Sequence, residues 1–348
     1  MPKSAKIILV ILILLILGGV LAYLWKPKIK GLSLKGNMPN EEGIVWGIDF
    51  SQSQAEYLKL DWKKTYLAIL DDLQVKNIKL HTNWDWIEGK KGFFYFKDTD
   101  WQVKQAGQHN ASMIYVLGMK TGRWPECHIP SWAEKMPEDQ VKAELMGYIK
   151  EVVERYKNSG TITYWQVENE PLFGFGACPD WYYKDSNFLE EEVALVKSLD
   201  PSRKVIISDS GELSSWYKAA QISDILGVTM YRNSWAVGTE IFGKNPYSFL
   251  NPYFYSKKAA IIKQLFGKET ICIELQAEPW ASEPLTQASM VEQLLSMSPE
   301  MFNENIAFAK QTGFKTFYLW GAEWWYWMKT AKFQPAIWEE AKEVFKSY

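Results

Sequence analysis

The chain has 348 residues, a formal net charge of −2 and 23% charged residues. This balance offers no strongly basic surface, so we expect no nucleic-acid partner. The length suits one large domain or two small ones. Trp is unusually frequent, with 18 residues, about four times the share in an average protein.

The first element along the chain is an apolar run over residues 7–25, which contains no charge. At 1.5 Å rise per residue, a helix of this length spans the hydrocarbon core of a bilayer. A cleaved signal peptide is the alternative, since small residues near Ala22 offer a cleavage point, but the run exceeds a usual signal core. We therefore predict a short tail over 1–6, a transmembrane signal anchor over 7–25 in contact with the lipid bilayer, and a polar linker over 26–43.

From residue 44 to residue 348, short apolar segments alternate with helical patterns. Eight strands, each followed by a helix, over about 300 residues are typical of a closed (β/α)8 TIM barrel rather than an open sheet. We predict strands over 44–50, 77–82, 112–118, 162–168, 204–209, 225–231, 270–275 and 314–320, and helices that include 58–75, 138–157, 187–199, 253–266, 301–312 and 335–346.

The C-terminal ends of the predicted strands carry mainly carboxylates, other polar groups and aromatic rings. In such a barrel these ends form the active site. The chain has three His, none in an HxH or HExxH spacing, and lacks GxSxG, GxGxxG and phosphate-loop motifs, so we predict neither a metal nor a cofactor. The strand-end residues are Asp49, His81, Asn83, Trp84, Lys120, Glu168, Asn169, Glu170, Asp209, Tyr231, Arg232, Glu274, Gln276 and Trp320.

Two of these residues, Glu170 after strand 4 and Glu274 on strand 7, suit the hydrolysis of a glycosidic bond. That reaction needs a proton donor of raised pKa and an ionised nucleophile or base on the other side of the anomeric carbon. The ends of strands 4 and 7 face each other across the barrel mouth, so the topology brings the two side chains together. Asn169 is placed to bind a sugar hydroxyl, and Tyr231 is placed to hold the ionised nucleophile.

Two further carboxylates compete with this assignment. Glu168 lies two residues before Glu170, and we expect it to be a salt-bridged structural group lower in the barrel. Glu278 lies four residues after Glu274 and is the alternative nucleophile. Glu274 directly follows the apolar run, so we prefer it and expect Glu278 to line the rim.

Four segments resemble clan A glycoside hydrolases, the retaining (β/α)8 enzymes that include the cellulase and mannanase family 5. "WQVENEP" (165–171) resembles the Asn-Glu-Pro signature that ends their strand 4. "TICIELQAEPW" (270–280) is similar to their strand-7 segment, and residues 77–101 are similar to their strand-2 region. "FYLWGAEWW" (317–325) resembles their strand 8.

The resemblance implies a role for each matching residue. Glu170 would be the general acid/base, Glu274 the nucleophile, and Asn169 the contact to the sugar 2-hydroxyl. Tyr231 would hold Glu274, and Trp320 would stack on the sugar.

The chain departs from family 5 at three positions. Lys79 stands where family 5 usually has Arg, residues 118–120 offer no His, and Thr229 replaces a His. The clan assignment survives these departures, a family 5 assignment does not, and the substrate is left open.

Several other residues are candidates for binding the sugar chain. Indole rings stack well on the apolar faces of sugars, so we predict Trp84 and Trp124 as outer platforms, with Trp235 a further candidate. His81 and Gln276 are predicted substrate contacts because they lie at strand ends. Trp324 and Trp325 remain open between the site and the core.

The loop after strand 3 leaves two alternatives open. Arg123, Glu126 and His128 either bind substrate or brace the loop. Cys127 and Cys178 lie in neighbouring loops, where an exported protein could join them in a disulfide, or they are free thiols. Cys272 is expected to be core.

The sequence thus predicts a membrane-anchored retaining glycosidase that cleaves β-glycosidic bonds of a poly- or oligosaccharide. Lysines flank both ends of the apolar run, so the extracytoplasmic location of the catalytic domain is expected from its chemistry alone. A transglycosylase with the same residues and a non-catalytic glycan-binding barrel are the alternatives.

Overall fold

A computed structural model describes residues 43–233, 247 and 250–346. Its eight parallel strands follow one another around a closed barrel, and the eighth pairs with the first. This confirms the predicted (β/α)8 barrel. The strands are β1 Val45–Ser51, β2 Asn77–His81, β3 Ser112–Leu117, β4 Ile162–Val167, β5 Lys204–Asp209, β6 Ile225–Met230, β7 Glu269–Gln276 and β8 Thr316–Trp320.

Helices connect successive strands, and side-chain caps mark several of their first turns. Asn251, for example, accepts from the N–H of Phe254 and precedes a proline at the first helical position. The helices are α1 Gln52–Tyr57, α2 Trp62–Asp71, α3 Trp84–Ile87, α4 Lys97–Gln108, α5 Glu138–Tyr156, α6 Ser186–Leu199, α7 Tyr217–Ile222, α8 Pro252–Phe266, α9 Met290–Ser296, α10 Pro299–Gln311, α11 Ala322–Ala331 and α12 Ala336–Lys346.

The helix predicted over 58–75 differs from the structure, in which α1 has ended at Tyr57 and α2 covers only Trp62–Asp71. Asp61 accepts hydrogen bonds from the N–H groups of Lys63 and Lys64, both at 3.1 Å, and so begins a new helix. Lys59 has a φ of 61°, a left-handed conformation that interrupts a helix. The side-chain cap at Asp61 and the left-handed Lys59 therefore interrupt the helix, although the helical sequence pattern continues through these residues.

The apolar core has two parts. A large cluster fills the space between the strands and the surrounding helices. A small cluster occupies the barrel interior. It consists of Ile114, Ile206, Ile225, Ile271, Ile273 and Tyr318. Because this inner cluster fills the barrel as in other folds of this type, the chemistry is left to the open end where the strands finish.

A β-bulge in β7 turns Glu274 toward the barrel mouth. Val228 pairs with Cys272 and Thr229 pairs with Glu274, so the register skips Ile273. Ile273 belongs to the inner cluster, whereas Cys272 belongs to the outer one. Strict alternation would therefore send Glu274 outward with Cys272. The extra residue reverses that direction, as bulges beside active sites commonly do.

The predicted membrane anchor over 7–25 and the predicted platform Trp235 both lie outside the described residues. Within the part that is described, no helix has both the length and the apolar character required to cross a bilayer. The chain divides into units of residues 1–38 and 39–348, and every described residue belongs to the second.

Candidate active site

Glu170 lies just beyond β4, where the backbone has left the strand conformation. Glu168 and Glu170 have φ values of 60° and 45°, which are unfavourable for residues other than glycine. The N–H of Glu170 donates to Ser208 Oγ at 2.8 Å, and Lys120 Nζ donates to the Glu170 carbonyl at 3.0 Å. These contacts from neighbouring strand ends hold a placement that a regular strand would not provide.

The Glu170 carboxyl has the properties of a proton donor. It is buried and accepts a hydrogen bond from the Thr229 hydroxyl at 3.1 Å. Burial raises its pKa to about 8, against the attraction of the Lys120 ammonium and with the added repulsion of Glu274. Glu170 therefore holds a proton at neutral pH, as a general acid must.

The Glu274 carboxylate is held by one donor on each oxygen. Lys79 Nζ donates to Oε1 at 2.7 Å, and the Tyr231 hydroxyl donates to Oε2 at 2.9 Å. Burial acts to raise the pKa of Glu274, but the charge of Lys79 and the hydrogen bonds from Lys79 and Tyr231 bring it below its usual value. Glu274 is therefore ionised beside a protonated Glu170, and the hydrogen bond expected from Tyr231 is present.

Lys79 also holds Asp49, and both ring nitrogens of His81 are engaged nearby. Asp49 Oδ1 lies 3.1 Å from Lys79 Nζ and 2.9 Å from His81 Nε2. His81 Nδ1 contacts the carbonyl of Thr121. The ring thus has no nitrogen left for a sugar hydroxyl. The prediction that His81 binds substrate is corrected to a role in positioning Asp49 and the Thr121 backbone.

Three of these groups have the spacing of a metal site. The donor atoms of Asp49, His81 and Glu274 lie within 4.8 Å of one another. However, the Lys79 ammonium contacts both carboxylates and supplies the positive charge that they need. The cluster is therefore better described as a buried ion network than as a metal centre.

The amide oxygen of Asn169 is fully occupied by donors of the protein. Oδ1 accepts from Gln166 Nε2 at 2.9 Å, from Ser208 Oγ at 3.3 Å and from Lys79 Nζ at 3.4 Å. The amide nitrogen lies near Gly122 and donates to none of the described residues. It is thus free to donate to a ligand.

Glu168 is a structural carboxylate, but it is not salt-bridged as expected. Its oxygens accept from the backbone N–H groups of Met119, at 2.7 Å, and Lys120. Gly118 makes room for it, because a Cβ at Gly118 would collide with the carboxylate. Burial raises the pKa of both Glu168 and its neighbour Glu192, so this pair retains a proton. Glu168 therefore ties the ends of β3 and β4 together through backbone donors instead of a cation.

A hairpin over residues 118–128, the mouth hairpin, follows β3 and borders the site. Lys120 and Cys127 form an antiparallel bridge within it. Cys127 is joined to Cys178 by a disulfide with a Cα–Cα distance of 5.2 Å, which decides between the two alternatives for these cysteines. The hairpin is thus fastened to the segment that follows β4.

Arg123, at the tip of the mouth hairpin, turns its guanidinium inward and braces the site. The residue is 7% exposed and pairs with Glu278 and with Glu323, whose Oε2 lies 3.3 Å from Nη2. Its Cζ lies 3.7 Å from the centroid of the Trp320 ring, which is 8% exposed. A cation thus covers one face of the Trp320 ring, and the stacking of Trp320 on the sugar stays a prediction.

Two residues near the end of β7 have structural partners. Glu278 binds Arg123 and accepts from Trp320 Nε1 at 2.9 Å, so Glu274 is the better candidate nucleophile. Gln276 Oε1 accepts from the N–H groups of Arg232 and Asn233, both at 2.8 Å. Its Nε2 donates to backbone carbonyls. Because both ends of the amide are engaged, the predicted substrate contact by Gln276 is corrected to a role in positioning the chain after β6.

The predicted aromatic platforms divide between the core and the surface. Trp84 is fully buried, stacks on Tyr148 and donates to Glu88, so the prediction of Trp84 as a platform is wrong. Trp324 and Trp325 are also core residues. Trp124 is 73% exposed at the tip of the mouth hairpin, which is compatible with stacking on a sugar.

A cavity of about 40 Å³ lies beside the mouth, where His81, Asn83, Trp86 and Tyr95 line it. Another concave surface, about 520 Å³, lies on the flank of the barrel near α4 and shares Tyr95 with this cavity. Neither is lined by Glu170 or Glu274. The candidate active site is therefore identified by its carboxyl groups and not by a cavity.

Sequence reasoning missed the contributions of Lys79 and Thr229 to this site and left that of Arg123 open. Lys79 was noted only as a departure from family 5, although a charge between Ile78 and Leu80 in a strand signals a paired inward position. Thr229 was noted as a replacement for His and is the donor to Glu170. Arg123 follows a Gly and precedes a Trp-Pro, a turn signal that places it at a loop tip without showing where its side chain points.

A protonated and an ionised carboxyl at the C-terminal mouth of a (β/α)8 barrel define the class as a glycosidase. The family model "Glycosyl hydrolase family 10" matches residues 44–237, more than half of the chain. The chain therefore belongs to glycosyl hydrolase family 10 and is a retaining glycosidase of clan A, which confirms the clan.

Individual relatives are more distant. The "Probable mannan endo-1,4-beta-mannosidase A" of Aspergillus niger is 36% identical over 74 residues, which cover 21% of this chain and 18% of that enzyme. Xylanase 10B from Thermotoga petrophila, solved in complex with xylobiose, is 16% identical, with a TM-score of 0.57 over 90% of this chain and 100% of that one. A GH5_18 from Bifidobacterium longum subsp. infantis is 13% identical, with a TM-score of 0.55 over 80% of this chain and 69% of that one. These structures share the fold.

Proposed function

We propose that this chain hydrolyses β-1,4-glycosidic bonds of a poly- or oligosaccharide with Glu170 as general acid/base and Glu274 as nucleophile. The observation that carries the proposal is the opposite direction of the two pKa shifts. Burial raises the pKa of Glu170 to about 8, whereas Lys79 and Tyr231 outweigh burial and lower that of Glu274. One group thus enters the reaction with a proton and the other with a charge.

The two steps follow from these states. Glu170 gives its proton to the departing glycosidic oxygen while Glu274 forms a bond to the anomeric carbon. The charge of Glu274 disappears in that bond, and with it a repulsion that raised the pKa of Glu170. The Glu170 carboxylate is then a suitable base for removing a proton from water, which attacks the same carbon, releases the sugar and restores both groups.

The substrate class is supported by the relatives and by free groups at the mouth. The names of two relatives refer to mannan and to xylan-type chemistry, so β-1,4-mannan and β-1,4-xylan are the first substrates to test. The Asn169 amide nitrogen is available for a sugar hydroxyl, and Trp124 offers an exposed ring. These groups fit a neutral sugar chain.

We further propose that residues 7–25 anchor the enzyme in a membrane, with the catalytic domain outside the cytoplasm. The uncharged run supports the anchor, and the Cys127–Cys178 disulfide supports an oxidising compartment. Alkaline extraction of membranes that carry the full chain tests this proposal. Retention in the pellet, with the domain open to external protease, is expected, and release into the supernatant would contradict it.

The catalytic proposal is tested with the full chain in detergent on mannan, xylan, β-glucan and galactan. Product release is compared with that of Glu170→Gln and Glu274→Gln, and we expect both variants to lose at least about 1,000-fold in rate. Glu269→Gln, an exposed carboxylate on the same strand as Glu274, is the matched control and should keep full activity.

Aryl glycosides with a good leaving group separate the two roles. Their departure needs no proton, so Glu170→Gln should form the glycosyl enzyme rapidly and then accumulate it, whereas Glu274→Gln should be inactive. Equal loss in both variants would contradict the assignment of roles. Products longer than the substrate would indicate the transglycosylase, and binding without any release would indicate the non-catalytic barrel.

A further inference from the structure

Tyr231 donates to Glu274 from a backbone that lies beyond the paired part of β6. The last residue of β6 in register with β7 is Met230, which pairs with Leu275. The N–H of Tyr231 donates instead to Oε1 of Glu212 at 2.8 Å. A backbone N–H outside the sheet needs another acceptor, and a carboxyl from the turn after β5 supplies it. Glu212 therefore holds the backbone from which the Tyr231 hydroxyl reaches Glu274.

Glu212 is itself fixed by two residues of α8. The hydroxyl of Tyr255, a fully buried residue, donates to the same oxygen, Glu212 Oε1, at 2.6 Å. Lys258 Nζ donates to the carbonyls of Gly211 and Ser214, at 2.9 and 2.8 Å, on either side of Glu212 in the chain. These bonds order both the carboxyl and the turn that carries it, so the acceptor for Tyr231 is in place before substrate binds.

Gly211 brings the same turn against β6 and contacts the support of the other carboxyl. A Cβ at Gly211 would lie 1.8 Å from the carbonyl oxygen of Thr229, so no larger residue fits. The N–H of Gly211 donates to Thr229 Oγ1 at 3.0 Å, and that hydroxyl donates to Glu170. The turn thus supports the proton donor through a backbone group and the nucleophile through the Glu212 side chain. A substitution of Glu212 therefore changes only the second of these two supports.

We propose that Glu212 is a positioning residue for the nucleophile: it holds Tyr231 so that the Tyr231 hydroxyl donates to Glu274. This inference rests on the proposed function. The titratable and charged groups that face Glu274 are Asp49, Lys79, His81, Glu126, Glu170 and Tyr231. Those that face Glu212 are Tyr255, Lys258, Arg232 and Cys272. Glu212 acts on the nucleophile through Tyr231.

The test compares the pH dependence of kcat/KM, on the glycan that the wild type hydrolyses, among Glu212 and Tyr231 variants. Tyr231→Phe removes a donor to the ionised nucleophile, so the acid limb should move up by about one pH unit. Glu212→Met should move the same limb up by about half a unit and lower kcat/KM near neutral pH by about 10-fold. Glu212→Gln keeps an acceptor for the Tyr231 N–H and should restore most of the wild-type profile.

Charge does not account for the expected shift. Burial raises the pKa of Glu212 to about 7, so Glu212 is neutral at the acid limb and its replacement removes no charge there. The alkaline limb should stay in place in Glu212→Met, because the donor to Thr229 is a backbone N–H. Glu269→Met, which replaces an exposed carboxyl on β7, is the matched control and should keep both limbs of the wild type.

A double variant separates positioning from a general loss of stability. In Glu212→Met combined with Tyr231→Phe, kcat/KM should fall no more than about threefold below Tyr231→Phe alone, because both changes act through one hydroxyl. Where Glu212→Met does not fold, Glu212→Asp keeps a carboxyl on a shorter side chain and should move the acid limb in the same direction.

The outcomes for this inference and for the proposed function are distinct. An acid limb that stays in place in the folded Glu212→Met or Glu212→Asp enzyme would overturn this inference alone, as would losses that multiply in the double variant. Absence of hydrolysis by the wild type would overturn the proposed function and this inference with it.

Discussion

At the scale of single residues, Thr229 is the donor that tunes the acid. Its hydroxyl donates to Glu170 Oε1 at 3.1 Å and so stabilises the ionised form. Thr229→Val keeps the shape and removes the donor. With the pKa of Glu170 at about 8, the alkaline limb of kcat/KM is expected near pH 8 in the wild type, and we expect it to move up by about half to one pH unit in the variant.

The measurement is kcat/KM between pH 5 and 10. Thr229 also accepts from the N–H of Gly211 at 3.0 Å, so some loss of stability accompanies the change and is followed by thermal unfolding. An alkaline limb that stays in place or moves down would contradict the role of Thr229 as a donor to Glu170.

Lys79 is the residue on which the charge of the nucleophile depends. It is fully buried between Asp49 and Glu274. Lys79→Met would leave both carboxylates without their cation, which costs about 3–5 kcal/mol when one partner of a buried pair is removed. The pKa of Glu274 would rise, so the acid limb of the pH–rate profile should shift upward and the rate near neutral pH should fall at least about 100-fold.

Urea unfolding and the pH dependence of kcat/KM check both parts of this prediction. Lys76→Met, an exposed lysine just before β2, is the matched control and should change neither quantity. An acid limb that remains in place in Lys79→Met would show that Tyr231 alone is sufficient to lower the pKa of Glu274.

At the scale of elements, the disulfide fastens the mouth hairpin across 51 residues of sequence. In the chain-entropy model a loop of this length contributes about 4 kcal/mol, and measured values are often smaller. Cys127→Ser should therefore lower the midpoint of unfolding and speed proteolysis of the mouth hairpin, while Cys272, a buried core thiol, is left intact. Wild-type enzyme treated with a reductant should behave like the variant, and an unchanged midpoint in both would contradict the prediction.

The strands were predictable because each buried strand of a parallel barrel is a short apolar run between helices. The predicted bounds of β5 are those of the structure, and those of β3 differ by one residue at the end. The catalytic pair followed from the same logic, since strands 4 and 7 finish at the same end of the barrel. Local pattern and topology thus agree over most of the fold.

The orientation of side chains at the mouth was not predictable in the same way. The bulge at Ile273 depends on pairing with β6 and β8, which the local sequence does not record. The inward turn of Arg123 depends on carboxylates more than 150 residues away. Burial also depends on tertiary packing, which is why Trp84 was misplaced although its position after β2 was correct.

At the scale of the whole molecule, the site concentrates carboxyl groups whose pKa is raised by burial. Burial raises the pKa of Glu126, Glu212 and Glu323 to about 7 in each case, and that of Glu170 to about 8. Each of these groups binds its proton more tightly in the folded chain than in the unfolded chain, where its pKa lies near 4.5. Between these values the folded state holds more protons, so stability falls as the pH rises.

At Glu170, the effect of a raised pKa on the free energy of unfolding can be measured for a single residue. Its stabilising contribution is fully present below about pH 4.5 and is lost as the pH rises through about 8. Glu170→Gln is neutral at every pH and still accepts from Thr229, so it should be more stable than the wild type at pH 8.5, by on the order of a few kcal/mol, and similar at pH 5. Urea unfolding at both values gives the difference, with Glu269→Gln expected to be flat. A Glu170→Gln variant no more stable than the wild type at pH 8.5 would show that Glu170 is not held protonated by its surroundings.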